Sequence, residues 1–320
     1  MHEVATFIGE CLASGIMLSS LCAVVIVPLI AWLGVRIAAP LIARMGADPI
    51  WQSPLAALAA ILPGALFLTL AAVGIGGGIQ STCLRFAGGR LIFGVLASLV
   101  AFGVSRAIVL AFQRLAHARA LLAASYEPSD RLSRIAERCG LAVRECADNR
   151  PLCLLVNVIR PIAIVSMGTL ARLSDVELEA ALLHERAHAA SGDQQLALAL
   201  SFFIDVLPLP ADDLIAIHHR ARELAADRRA LGGTCVDHLA SALLNLSKSV
   251  RTVPATAGFA DHALHARLDA LLRSTPERFP RKFYRIAVCG LLAFIVLGGI
   301  APIIFSVVAD NCMKTMSRNG

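Results

Sequence analysis

The run His184-Glu185-Arg186-Ala187-His188 sets two imidazoles four residues apart with a carboxylate beside the first. On a helix, positions four apart share a face, so both rings can grip one ion. Zinc favours such nitrogen ligands, and a catalytic site uses three protein ligands and keeps a fourth position for water. Glu185, next to the first ligand, can then take the proton of that water as it attacks a carbonyl, which is the chemistry of peptide hydrolysis. The third ligand has a candidate in Arg222-Glu223-Leu224-Ala225-Ala226-Asp227. Glu223 completes a two-His, one-Glu set for a single Zn2+. Asp227, one turn on, can accept the second N–H of a ligating imidazole and fix its tautomer. The plainer alternative for all five residues is a solvated, charged helix face.

Other polar residues fit less closely. His219 lies four before Glu223 and could steady an oxyanion from the same face, or simply be exposed. Asp193 can cap a following helix; as a fourth ligand it would close the site. Arg267 suits a salt bridge. An extended substrate could pair with the strand around Val156 to Val165 by β-augmentation.

These residues need helices to carry them, and the sequence supplies the signals. Ser174-Asp175-Val176-Glu177 is a capping box, so a helix starts there and runs towards Ala190, with Gly192 at its end. A second helix spans about Asp212 to Leu231 and carries Glu223 and Asp227. Before them, Pro128-Ser129-Asp130 opens a helix to about Cys139, stopped by Gly140. Leu152–Val156 and Ile162–Val165 are rich in branched apolar residues and read as strands. Leu196–Leu209, apolar except for Asp205, is either a core helix or a segment lying against the membrane. Two further helices are expected near 236–250 and 261–273. Gly74, Gly76, Gly77 and Gly78 read as a flexible exit from a bilayer.

A bilayer is implied by composition: 57% of the chain is hydrophobic and 16% charged, against about half and a quarter in soluble domains. Runs at 11–35, 54–76, 91–112 and 286–309 are each long enough to cross a hydrocarbon core of about 30 Å. Arg106 interrupts the third, either snorkelling to the interface or serving as a functional intramembrane charge. The expected organisation is a membrane region over 1–112 with three spans, a cytosolic domain over 113–283, and a fourth span with a short external tail over 284–320. Arg114 and Arg119 at one edge of the large segment, with Arg278, Arg281, Lys282 and Arg285 at the other, place it in the cytosol and both termini outside. The first ten residues lack Lys and Arg, so the first span reads as retained rather than cleaved. Basic residues are scattered without interleaved aromatics, which gives no direct nucleic-acid partner despite the net charge of +6. Nine cysteines form no CxxC pair. Those in the cytosolic part are expected reduced, and spacing leaves a Cys83–Cys312 disulfide open.

The run IRPIAIVSMGTLARLSDVELEAALLHERAHAASGD, followed by RELAADRRA, resembles the BlaR/MecR-type antirepressor family of membrane zinc metallopeptidases, the transducers of β-lactam resistance. The likeness extends over residues 1–309, with its motifs in 158–231. It implies an α+β, mostly α fold, with four transmembrane helices and a cytosolic zincin-like domain between the third and fourth, whose motif helices pack beside a small sheet. It further implies His184, His188 and Glu223 as zinc ligands, Glu185 as catalytic acid/base, Asp227 as the acidic residue behind them, and a location in the inner (cytoplasmic) membrane. Arg267 resembles an arginine near the end of related peptidase domains. The implied partners are a protein substrate, either a cytosolic repressor or the chain itself. The family carries an extracellular penicillin-binding domain after the fourth span, whereas this chain has Asp310 to Gly320 there and no Ser-x-x-Lys motif. Direct β-lactam sensing is therefore not expected, and a signal would come from the membrane, the short loops or a sensor partner. A homo-oligomer is compatible with the sequence. Two other readings compete: a quality-control protease like HtpX, which places two spans before its motif, and a non-catalytic zinc-stabilised adaptor or receptor, which would have no use for Glu185.

Overall fold

The computed structural model describes residues 24–43, 49–80, 87–247 and 257–272. Three long apolar helices come first: α1 (Val24–Ala43), α2 (Pro49–Gln80) and α3 (Ala87–Ala123). All three are long and apolar enough to cross a membrane. The start of the first expected span, the fourth span at 286–309, the external tail, Cys83 and Cys312 lie outside the described residues. The Gly74–Gly78 stretch is not an irregular exit; α2 stays helical to Gln80. Where water cannot compete for the backbone, helical hydrogen bonds outweigh the entropy that glycine loses.

The apolar surface is distributed as a bilayer would have it. The span of α2 is 61% buried inside the protein, against 11% for α1 and 17% for α3. Ile30, Ile37 and Leu41 of α1 and Leu91, Phe102 and Phe112 of α3 are all strongly exposed. Exposed rows of large apolar side chains on flanking helices need lipid or protein cover.

Helix α4 (Asp130–Cys139) follows, then β1 (Val143–Cys146), β2 (Cys153–Val156) and β3 (Ile162–Ser166). Gly140 ends α4 at φ 60°, as its sequence position suggests. The sheet order is β1-β3-β2, with β3 parallel to β1 and antiparallel to β2. The short α5 (Met167–Arg172) leads to α6 (Asp175–Ser191), α7 (Asp193–Val206), α8 (Asp212–Ala230), α9 (Val236–Ser247) and α10 (Ala257–Leu272). The described architecture is thus mostly helical, with one small sheet.

Leu132, Ile135, Val165, Leu178 and Leu182 form a core between α4, the sheet and one face of α6. The start of α6 is fixed by Glu177. Its Oε2 accepts the Ser174 N–H at 2.8 Å, and its Oε1 accepts from Asn245 at 2.9 Å and from the Ser241 hydroxyl, both on α9. One carboxylate therefore caps α6 and ties it to α9.

The segment that the sequence left between core and membrane is α7, and it does both jobs. It packs against α2 and α3, while α8 lies along α2. Two glycines make this possible. A Cβ on Gly64 of α2 would meet the Phe203 carbonyl at 2.5 Å, and one on Gly103 of α3 would meet that of Val206 at 2.5 Å. Arg106, read from sequence as an interfacial or functional charge, donates to the Asp205 carbonyl of α7 at 2.6 Å, beside the 2.5 Å Arg114–Asp205 ion pair.

Replacing Glu177 with Ala removes the cap of α6 and both links to α9. The expected result is a loss of about 2 kcal/mol, measured by chemical unfolding of the detergent-solubilised chain against wild type.

Candidate metal centre

Helix α6 presents His184 and His188 one turn apart, and α8 crosses it so that Glu223 faces both. One donor atom from each of the three lies within 4.8 Å of the others. His184 Nε2 is 3.0 Å from His188 Nε2 and 3.3 Å from Glu223 Oε2; His188 Nε2 is 3.5 Å from Glu223 Oε1. Ligands bonded to one zinc at about 2.0–2.1 Å in a tetrahedron sit about 3.3 Å apart, so the spacings fit a single ion.

The outer nitrogens settle which way the inner ones face the ion. Asp227 Oδ1 is 2.9 Å from His184 Nδ1, and Asp193 Oδ2 is 2.6 Å from His188 Nδ1. Each carboxylate calls for an N–H at Nδ1, which leaves Nε2 with a bare lone pair in the neutral ring. In the neutral rings two lone pairs then converge with a carboxylate, a set that could hold a metal ion, while Arg222 and Arg267 reach the Glu223 oxygens from behind at 3.2 and 3.1 Å.

Both imidazoles and Asp227 are buried, and Glu223 is partly so. Burial alone would pull His188 down, but Asp193 and Glu223 outweigh it and push the ring up to about 9. Burial likewise opposes charge on Glu223, yet the two histidines and Arg267 hold its carboxyl far below the usual range. Arg267 on α10 closes the back of the cluster. Its Nε and Nη2 donate to the two oxygens of Asp227 at 2.7 and 2.6 Å, and its Nη1 lies 3.1 Å from Glu223 Oε2. Three helices therefore meet in one network of charge-assisted hydrogen bonds.

Glu185 is half-buried, and among the described residues it makes no hydrogen bond or ion pair. Burial raises its pKa. Burial first, and then the same carboxylate, hold the thiol of Cys153 on β2 well above the ordinary value, and α6 packs against that strand.

Strand β2 is an edge. Leu152 and Ser166 are a hydrogen-bonded pair, so Leu154 and Val156 also face β3, and the backbones of Cys153 and Leu155 point outward. Gln194 of α7 covers the Leu155 carbonyl at 2.9 Å. The Cys153 N–H and C=O and the Leu155 N–H remain directed at the open edge. The expected strand around Val156 to Val165 needs correcting here. β3 is central and paired on both sides, so another strand can add only at an edge, and β1 already carries a bridge to Tyr126 at Glu145 on its outer side, which leaves β2 the freer of the two edges.

The structure thus brings together His184, His188, Glu223 and Asp227, with Glu185 beside them. His219 is exposed, and its ring neighbour is His218, 5.4 Å away. Asp193 is neither merely a cap nor a fourth member of the triad. Gly192, at φ 69°, turns the chain sharply enough to set Asp193 under His188. The Gly192-Asp193 pair, separated from the end of the HExxH run by three residues, was the available signal. Sequence reasoning also passed over His218, fully buried against α2, where Nδ1 donates to the Ser53 carbonyl at 3.0 Å. The described cysteines Cys139, Cys146, Cys153 and Cys235 are free thiols.

No protein-family model, curated protein or solved structure matches the chain. The site is therefore read from its own geometry.

Two outcomes follow. Asp193→Ala should weaken metal binding about 10- to 100-fold while leaving helix content intact, as measured by chelator competition and circular dichroism. In chelator-treated protein, His188 gains its charge partners on folding, so its folded pKa of about 9 exceeds the ordinary 6.5. The resulting stability is complete below 6.5 and lost as pH rises through about 9. Thermal unfolding of the metal-free protein should shift to lower temperature across that window.

Proposed function

We propose that this chain is an integral-membrane zinc metalloendopeptidase, regulated and site-specific, that cuts a cytosolic regulatory protein, itself, or both. The observation that carries the proposal is the free carboxylate of Glu185 beside three converging lone-pair donors. A site that only held the fold would need the triad but not that base. The BlaR/MecR-type resemblance of the motifs supports the same reading, as do three span-like helices and the order of helix, sheet and motif helices around the triad.

His184, His188 and Glu223 would hold the zinc, whose Lewis acidity lowers the pKa of water and polarises a carbonyl. The chain's own residues do the rest. The outward backbone of Cys153 and Leu155 binds an extended peptide as a further strand and sets its scissile carbonyl over α6. Glu185 accepts the proton of the attacking water and returns it to the departing amine nitrogen. Its raised pKa suits both halves of that transfer. Asp193 and Asp227 keep the imidazoles oriented, and Arg267 holds Glu223 and Asp227 at fixed spacing so that neither carboxylate turns away.

Glu185→Gln keeps the shape and removes the base. New protein N-termini are compared in cells making either form, with bound zinc measured in both. A small set of cleavages present only with wild type is expected, and purified Glu185→Gln protein should cut those sequences at least about 1,000-fold more slowly. Equal cleavage by both forms would sink the proposal.

A further inference from the structure

Leu207-Pro208-Leu209-Pro210, the corner between α7 and α8, is an irregular stretch lodged among all three spans. The Pro210 carbonyl accepts from Trp32 Nε1 of α1 at 2.7 Å and from Arg36 at 3.4 Å. Phe203 abuts Gly64 of α2, and Val206 abuts Gly103 of α3. Leu209 and Leu214 line an apolar cleft with Ala59, Ala60 and Pro63 of α2.

Its depth can be gauged independently from two spans. On α2, Ser53 holds His218 of α8 while Gly64 meets Phe203. The corner therefore descends along about 16 Å of that helix. On α3, Gly103 lies about 13 Å from Phe112, where the apolar run ends. Both place the end of α7 near the middle of a hydrocarbon core about 30 Å thick, while Trp32 and Arg36 set Pro210 nearer the end of the first apolar run.

Irregular backbone survives at that depth only where its polar groups are satisfied within the protein. Several of this corner's groups are paired in that way. Pro208 and Pro210 have no N–H to satisfy. The Leu209 N–H donates to the Leu207 carbonyl at 2.7 Å and the Leu207 N–H to that of Phe203 at 3.3 Å. Arg106 takes the Asp205 carbonyl, and Trp32 takes that of Pro210. The Asp205 carboxylate has Arg114 and Arg106 as partners.

A hairpin seated this way fixes the height of the metal centre. Along α8, Glu223 lies only about 7 Å beyond His218. His218 is level with Ser53, in the second turn of α2. The triad consequently sits beside the end of the α2 span, in the headgroup layer and not out in the cytosol.

We propose that the α7–α8 hairpin is re-entrant and that the centre acts on polypeptide held at the bilayer surface. On this view the substrate class is a membrane-anchored protein, cut within the first roughly ten residues outside its span. The proposal rests on the peptidase reading above and narrows its substrate.

Two measurements on the full chain in zinc-loaded proteoliposomes separate the claims. A benzophenone amino acid at position 208 should capture lipid acyl chains on illumination, whereas one at exposed position 186 should not. No lipid capture at position 208 overturns re-entrancy and leaves the peptidase reading untouched. In the second measurement, an unstructured segment carrying one of the sequences cut only by wild type in the N-terminus comparison is attached to a single transmembrane helix through spacers of about 5, 20 or 60 residues, or supplied free. Cleavage should fall at least about tenfold from the shortest spacer to the longest, with the free segment slowest. Equal rates at every spacer and for the free segment overturn the proposal. If nothing is cut while position 208 still captures lipid, the peptidase reading fails and takes the substrate class with it.

Discussion

Two imidazole lone pairs and a carboxylate aimed at one point repel each other, and in a buried setting that repulsion is expensive. Holding them there is the constraint that organises the rest of the chain. Asp227 and Asp193 lock the rings from behind, and Arg267 balances the excess negative charge. Each of these supports comes from a different helix: α8, α7 and α10. The cluster exists only where four helices, α6 included, are fixed relative to one another, and much of the fold serves as the frame that fixes them.

The frame is anchored at both ends of α7. At its first residue Asp193 orients His188; at its far end Asp205 is held by two arginines of α3. Helix α8 is similarly tied, through His218 to α2 and through Asp213 to Arg36 of α1. Ion pairs of this kind, with arginines more than a third exposed, add little net stability. They therefore act more as register marks than as glue, fixing which turn of α7 meets which turn of α3.

The sequence announced the local structure well because its signals are local. The capping box at Ser174, the stops at Gly140 and Gly192 and the four-residue spacing in His184–His188 each depend on near neighbours. What it hid depends on the angle at which helices meet. His218 and His219 are adjacent and differ by about 100° of helical rotation, so one is buried against α2 and the other faces solvent. Only the packing of α8 decides which. Asp193 was mistaken for a simple cap because its partner is reached through a left-handed turn, not along a helical face. The strand given to peptide binding was misjudged because central and edge strands look alike until the order β1-β3-β2 is known.

The grip of the spans on α7 and α8 also bears on how such a molecule can be made. A ribosome delivers α1, α2 and α3 before the helices that carry the histidines and Glu223. The grooves at Gly64 and Gly103 are thus waiting when α7 emerges. Until those grooves exist, α7 has no surface to cover its apolar side and no arginine for Asp205. Packing of α1, α2 and α3 therefore precedes assembly of the centre. A chain whose apolar helices had not yet come together would carry the triad in its sequence without bringing its members together.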